Sequence, residues 1–413
     1  MSRLRGLIDE LCPDGVTYRA LSELFDIRNG YTPSKKNPAF WDGGTHPWFV
    51  MEDIRRDGTV LNDSSAHITD KAIKKGLFPA NSIIVATSAT IGVHALVTVD
   101  FLCNQRFTCM TVKEGYADIL DVRYAYQAFF ALDRWCLEHV DQGNFATVNS
   151  AALRAYRIPV PPIEVQREIV RILDSFQELD DALTAEIEMR ERQFASYRDE
   201  LLEERLQKMC PEGVEYQHFD EVCTLKARVG WQRLTKKEHL PSGDYMLVTG
   251  TDFTDAHSID YSTCVYVDKA RYDMDENIQL RDGDVLITKD GTLGKVAFVD
   301  GLPMPATLNG GVFVVRAMGD RLEQRFIMHF LLSHGFTAAV ESQHTGSTIK
   351  HLTQAIFSKI KIPVPPIEVQ REVVRILDSF QEHIDAVMDE RDARRKQFEY
   401  YRDKLLSFPE KGV

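Results

Sequence analysis

Apolar residues recur at alternating three- and four-residue steps along the middle of the chain. One line of positions holds Ile169, Phe176, Leu183, Arg190 and Tyr197, and the next holds Leu173, Asp180, Ile187, Phe194 and Leu201. The rhythm returns near the end, at Val373, Phe380, Val387, Arg394 and Tyr401 and at Leu377, Ile384, Arg391, Phe398 and Leu405. This is a coiled-coil seam sustained over about five heptads. No Gly or Pro interrupts the first copy from Ile163 through Met209. Pro161-Pro162 and Pro365-Pro366 stop a preceding strand and fit a first helical turn, where a missing N–H is not felt. Two long helices are therefore predicted. Packing of each helix only on its own domain is the plainer alternative, but the regularity of the seam favours pairing of the two copies. The polar breaks in the seam, Asp180 in one copy and Arg391 and Arg394 in the other, can meet if the helices are antiparallel.

The two helices are copies. Ile158–Glu178 and Ile362–Glu382 agree at 20 of 21 positions, and Ile158–Leu202 and Ile362–Leu406 at 31 of 45 without a gap. A second echo lies upstream, with CPDGVTY at Cys12–Tyr18 and CPEGVEY at Cys210–Tyr216. The period is therefore about 200 residues, far beyond the 20–50 of a solenoid. Four segments follow: a globular region over 1–157, a helix over 158–208, a second globular region over 209–361 and a second helix over 362–413. The globular regions mix β-rich stretches (SIIVATSATIGVHALV, DVLITKDGTLGKVAFVD) with helical ones (DVRYAYQAFFALDRWCLEHV, EQRFIMHFLLSHGFTAAVES). Thr90-Ile91-Gly92 aligns with Thr292-Leu293-Gly294, and an Asn-bearing strand follows each, at Asn104 and Asn309. The reading is α+β: two mixed α/β heads of one fold with diverged surfaces, separated by two long antiparallel helices forming a coiled coil, in a pseudo-two-fold tandem repeat.

Composition narrows the class. With 413 residues, 44% hydrophobic and 27% charged, the chain can build two or three ordinary cores. No apolar run reaches the ~18 residues of a membrane span and Met1–Glu10 has no signal-peptide core, so a cytoplasmic protein without membrane contact is expected. The seven cysteines are scattered with no CxxC, which points to reduced buried thiols rather than zinc or disulfides. The net charge of −13 argues against phosphate contacts, but the excess is uneven. Residues 1–157 carry 17 basic and 18 acidic side chains, 158–208 carry 7 and 13, 209–361 carry 16 and 20, and 362–413 carry 9 and 11. Nearly half the excess sits on the first helix, which leaves the first head close to neutral.

No autonomous catalytic site is visible. NPAF at Asn37–Phe40 is close to an adenine-methyltransferase motif but lacks the second proline and an upstream glycine-rich turn. GTLGKV at Gly291–Val296 has Lys289 and Val296 where a Walker loop needs Gly and Ser or Thr, so it reads as a hairpin turn. The 12 histidines show no metal spacing. What remains are polar and basic loops able to read a polyanion. In the first head these are Arg28, Asn29, Tyr31, Lys35, Lys36, Ser88 and Thr90, with Asn104, Gln105 and Arg106 able to bond base edges bidentately. In the second they are Arg228, Trp231, Gln232, Arg233, Lys236 and Lys237, then Lys289, Thr292 and Lys295, then Ser347, Thr348, Lys350 and His351. Taken singly, each is better explained as a solvated turn; taken as a set on two heads, they tilt toward DNA. The residues expected to pair the helices are Ile169, Leu173, Phe176, Leu183, Ile187, Phe194, Val373, Leu377, Phe380, Ile384 and Phe398.

The whole chain resembles the specificity (S) subunit of a type I restriction–modification system. The likeness rests on the duplicated IPVPPIEVQRE helix, the TPS…FW.GG..PWF pattern (Thr32–Phe49), the SATIG…CNQRF pattern (Ser88–Phe107) and the GW..LTKKE…LVTGTDF…GDVLITKDGTLGKVAFV…PATLN.GVFV…GSTI.HL series. One departure is ATIGVH against GTLGKV, so a phosphate-facing role of Lys295 has no counterpart at Val93. The resemblance implies that each head is a target recognition domain for one half of a split site in double-stranded DNA. It implies that the helices pair antiparallel and dock two methyltransferase (M) subunits, which methylate adenine N6. Restriction/translocase (R) subunits would join them. S-adenosylmethionine, ATP and Mg belong to those partners, and the chain itself is expected to carry no cofactor, no metal and no catalysis. A helix of ~60 Å could hold two heads about one DNA turn, ~34 Å, apart. Two rivals remain: a coiled-coil adaptor between proteins that never touches DNA, favoured by the acidity, and a cryptic enzyme using NPAF.

Overall fold

The computed structural model describes residues 2–142, 146–229, 234–290, 294–342 and 352–412. They form two compact units, Met1–Ala182 with Arg391–Val413, and Leu183–Glu390.

In the first unit a five-stranded sheet runs in the order Phe25–Asn29, Phe107–Val112, Ser82–Ala86, His94–Val97, Val60–Leu61. Ser82–Ala86 is buried at every position, as its unbroken apolar run requires of a central strand. A three-stranded sheet, His67–Ile68, His46–Phe49, Leu102–Cys103, shares one apolar cluster with it. The helix Val122–Glu138 closes the other face, and its N-cap Asp121 accepts hydrogen bonds from the Arg123 and Tyr124 amides. The second unit repeats this order. Its four-stranded sheet runs Cys223–Lys226, Val312–Ala317, Val285–Thr288, Val296–Phe298, and its three-stranded sheet runs Val265–Val267, Tyr245–Val248, Ala306–Leu308. The helical stretch divides here into Gln324–Leu331 and His334–Ser342. Asn104 and Asn309 lie on the turns that precede the strands Phe107–Val112 and Val312–Ala317, not on strands as expected from the sequence. Each Asn carbonyl accepts the amide three residues on, which closes a turn.

In each unit a two-stranded ribbon leads into a long helix: Thr17–Ala20 with Arg157–Val160, and Glu215–His218 with Lys361–Val364. The proline pairs end these strands. The Pro162 and Pro366 carbonyls then accept the first helical amides, from Gln166 and Gln370 among others. The first long helix covers Ile163–Glu200 and continues through a π turn, Leu201–Arg205, into Leu206–Met209. The widened turn lies where Leu201, Leu202 and Leu206 all enter the core of the second unit. The second long helix covers Ile367–Leu405.

The helices pair within each unit. In the first, the Phe176 ring lies 6.0 Å from that of Phe398 and 5.9 Å from that of Tyr401. In the second, Phe380 lies 6.4 Å from Phe194 and 5.0 Å from Tyr197. Within the first unit Phe176 meets Phe398 and, four residues on, Asp180 meets Arg395, so the pairing there is antiparallel. Leu183, Ile187, Phe194 and Ile384 are buried as seam residues should be, whereas Phe380 is 42% exposed. Ile169, Leu173, Val373 and Leu377 also belong to the head cores, so each helix packs on its own head and on its copy together. The seam carboxylate Asp180 is forked by Arg395, at 2.6 and 2.9 Å. Arg395 stands one position past the seam and reaches in along its aliphatic stem, its guanidinium half exposed. Arg391 and Arg394 bond Asp392 and Gln397 on their own helix.

Two further anchors repeat. Gln166, fully buried, donates to the carbonyls of Pro161 and Ile119 (both 2.7 Å) and accepts from the Asp121 amide (2.9 Å). Gln370 donates to Pro365 and Arg321 (both 2.8 Å) and accepts from Glu323 (2.9 Å). Arg123–Asp174 (2.8 Å) and Arg325–Asp378 (2.7 Å) pin the helix that follows to the long one. In the first unit, the Val16 amide donates to Pro409 O and the Lys411 amide to Val16 O. Gly15 lies at φ +88°, and a Cβ there would stand 2.4 Å from Pro409 O, so only glycine admits this approach. No helix among the described residues is long and apolar enough to cross a membrane.

Candidate nucleic-acid interface

Both heads build one polar corner on the same backbone bonds. In the first, Thr87 N donates to Arg106 O, Asn104 N to Phe49 O, Phe107 N to Asn104 O and Val148 N to Thr87 O. In the second, Lys289 N donates to Gly311 O, Asn309 N to Val248 O, Val312 N to Asn309 O and Leu352 N to Lys289 O. The bonds match one for one, yet the side chains differ: Thr87 against Lys289, Ser88 against Asp290, Arg106 against Gly311. Gly92 and Gly294 hold the adjoining hairpins at φ +83° and +80°. The corner is thus a fixed backbone that presents exchangeable side chains.

The first head's candidates divide into presenters and supports. Lys35, Lys36, Gln105 and Arg106 are exposed. The Thr32 hydroxyl donates to Gln105 Oε1, joining the loop after Arg28 to the Asn104–Arg106 turn. Asn104 Oδ1 accepts the Arg106 amide, and Asn29 Oδ1 accepts the Thr108 hydroxyl, so both shape backbone. The Tyr31 hydroxyl donates to Ala72 O and accepts the Lys74 amide. Arg28, expected as a reader, is engaged within the head. Its guanidinium donates to the carbonyls of Lys75, Gly76 and Leu77 and stacks 4.0 Å over Phe78, so it holds that turn together. Ser88 and Thr90 are half-buried and flank Ala89, which is held at φ +68°.

In the second head, Lys236, Lys237 and Lys295 are exposed. Lys289 is half-buried, its ammonium 5.1 Å from the centre of the Phe313 ring. Arg228 was expected on an open loop but is only 3% exposed. Its Nε donates to Leu308 O at 2.9 Å and its Nη2 to Thr307 Oγ1 at 3.2 Å. Trp231, Gln232, Arg233, Thr292, Ser347, Thr348, Lys350 and His351 lie outside the described residues. Beside Arg228 opens a cavity of about 660 Å³, bordered by Lys236, His239, Lys289, Asn309 and Gly311. Asn309 and Gly311 were absent from the sequence-derived candidates. Their signal was the alignment of the two Asn-bearing segments, which also aligns Arg106 with Gly311.

The other motifs have structural explanations. Asn37 Oδ1 accepts the Ala39 amide and caps the turn Pro38–Phe40, which accounts for NPAF. All seven cysteines are buried free thiols, and burial pushes Cys109 and Cys223 up to about 12. Among the described residues, no group of His, Cys, Asp and Glu could hold a metal ion.

The geometry defines a class: a duplicated α+β protein with two structurally equivalent, chemically distinct polar corners joined to a constant helical pair. Residues 13–189 and 211–393 each match the family model of the type I restriction modification DNA specificity domain, and the chain belongs to that family. It is 46% identical over 203 residues to the EcoprrI specificity subunit of a type I restriction enzyme from Escherichia coli, covering 45% of this chain and 50% of that one. It is 29% identical over 265 residues to the EcoR124I/EcoR124II specificity subunit of Escherichia coli, covering 61% and 63%. The chain therefore spans one half to under two thirds of the length of these curated relatives. A solved structure described under the complex assembly and conformational transition of the type I R-M system matches with a TM-score of 0.57 at 17% identity. That match covers 95% of this chain and 97% of the other, and shows a common fold.

Proposed function

We propose that this chain is the non-catalytic DNA-specificity subunit of a type I restriction–modification complex. Residues 1–157 and 209–361 act as target recognition domains, each reading one half of a bipartite site. The helices dock two adenine-N6 methyltransferase subunits, and restriction subunits join the assembly. S-adenosylmethionine, ATP and Mg act in those partners. The observation that carries this reading is the pair of equivalent corners. One backbone scaffold presents Thr87, Ser88 and Arg106 in one head and Lys289, Asp290 and Gly311 in the other, as two different half-sites require. Specificity resides in exchangeable side chains, while the repeated Gln166 and Gln370 anchors hold each head by backbone atoms.

The test is methylation mapping. The chain is expressed with the methyltransferase from its own operon in a methylation-free host, and N6-methyladenine is located by sequencing. A split motif with a fixed gap supports the reading. An assembled complex that leaves no motif would remove the DNA role and leave the protein adaptor.

A further inference from the structure

Resting on the specificity reading, we infer that the cavity beside Arg228 in the second head seats one phosphate of the DNA backbone. Arg228 is fixed from behind by Leu308 O and Thr307 Oγ1, and its Nη1 is buried without a hydrogen-bond partner. A buried guanidinium nitrogen left unpaired is costly, and an anion oxygen relieves that cost. The border of the cavity adds Lys236 and Lys289 against one carboxylate, Asp290. Glu238, beside Lys236, does not cancel this charge. Its carboxylate is held at about 2 by the Thr235 amide and hydroxyl and is paired with the Arg271 guanidinium. A local positive recess therefore stands in a head that carries 16 basic and 20 acidic residues.

At the matching position the first head is closed. Strand registers Phe25 with Val112 and Cys223 with Ala317 set Gly30 opposite Arg228 in the repeat. At Gly30 a Cβ would meet Asn104 O and Cys103 O at 2.3 Å, so the chain is pressed shut there. In the second head the position carries a long cation, and the Arg106 counterpart is reduced to Gly311. The site is thus asymmetric and serves the second half-site only.

The test uses the assembled complex with its methyltransferase and cognate DNA bearing single neutral methylphosphonates. Wild type should lose affinity at one phosphate beside the second half-site. Arg228→Met should weaken binding about tenfold, equally for cognate and altered second half-sites, lower the slope of log affinity against log salt by about one, and abolish the effect of that methylphosphonate. Gly311→Leu fills the cavity from a position where a Cβ meets only Asp290 Cβ, at 3.8 Å, and should act in the same direction. It decides the matter if Arg228→Met fails to fold. Unchanged affinity and slope in the folded variants would overturn the phosphate site. So would relaxed specificity at one base with an unchanged slope. Both results leave the specificity reading intact, whereas a wild-type complex that binds no DNA removes both.

Discussion

Gln166 and Gln370, 204 positions apart, make the same three hydrogen bonds in heads whose sequences differ. Each amide grips only backbone: the carbonyl of its own proline, a carbonyl of the head, and the amide of the residue that caps the following helix. Ile119 and Arg321, or Asp121 and Glu323, can therefore stand in the same grip. Replacing Gln370 by Leu keeps the volume and orphans a buried N–H and two carbonyls. We expect a loss of about 1–3 kcal/mol, read as a lowered urea midpoint. A shift below a few tenths would show that the clamp is not needed.

In the turn Asn104–Arg106 the side chains of Gln105 and Arg106 are exposed. Arg106→Ala should relax the first half of the methylation motif and leave the second half unchanged. A base contact of this kind is worth about 1–3 kcal/mol of discrimination. Motif mapping of the variant checks this, and simultaneous drift of both halves would contradict independent reading.

Asp180 and Arg395 form a forked pair with the arginine half exposed. Solvent screens such a pair, so a double-mutant cycle with Asp180→Asn and Arg395→Gln should return under about 1 kcal/mol of coupling. The pair then sets register more than stability. Exchange of the two residues, Asp180→Arg with Arg395→Asp, should restore the melting midpoint. Failure of the exchange would mean that neighbouring seam charges fix the polarity.

His329 is almost fully buried, with Nε2 on Asp378 Oδ1 at 2.9 Å and no partner at Nδ1. Burial lowers its pKa, as it does for His257, with Arg198 and Arg325 facing the same space. Asp378 is lowered too: burial opposes this, but the bonds to His329 and Arg325 prevail. The folded state therefore holds a neutral imidazole that the unfolded chain would protonate. Its contribution is complete above pH ~6.5 and is lost as pH falls below that value. The urea midpoint of the wild type should drop between pH 7.5 and 5.5 by more than that of His329→Gln. Equal drops would exclude His329 as the source.

Much of the architecture was legible because repetition is visible without alignment. The seam from Ile169 to Leu201 and its copy announced two paired helices, and the proline pairs marked their starts. The hairpins around Gly92 and Gly294 announced a common head fold. What the pattern could not supply was the third dimension of single side chains. Arg28 reads as a loop cation, yet the carbonyls at 75–77 consume it, a contact across 47 residues and more. Arg228 sits in a basic stretch but is drawn inward by Leu308 O, a partner 80 positions away. Phe380 occupies a seam position, yet one side of its ring stays exposed. Such outcomes depend on long-range register, which local periodicity does not encode.

The pairing of Val16 with Pro409 and Lys411 places residues 391–413 inside the unit that begins the chain. On the ribosome, this head emerges first yet cannot be completed until the last helical turns are made. The second unit, Leu183–Glu390, is contiguous and has every piece it needs sooner. The order of completion along the chain is thus the reverse of the order in which the heads begin: every residue of the second unit precedes residues 391–413, which the first still needs.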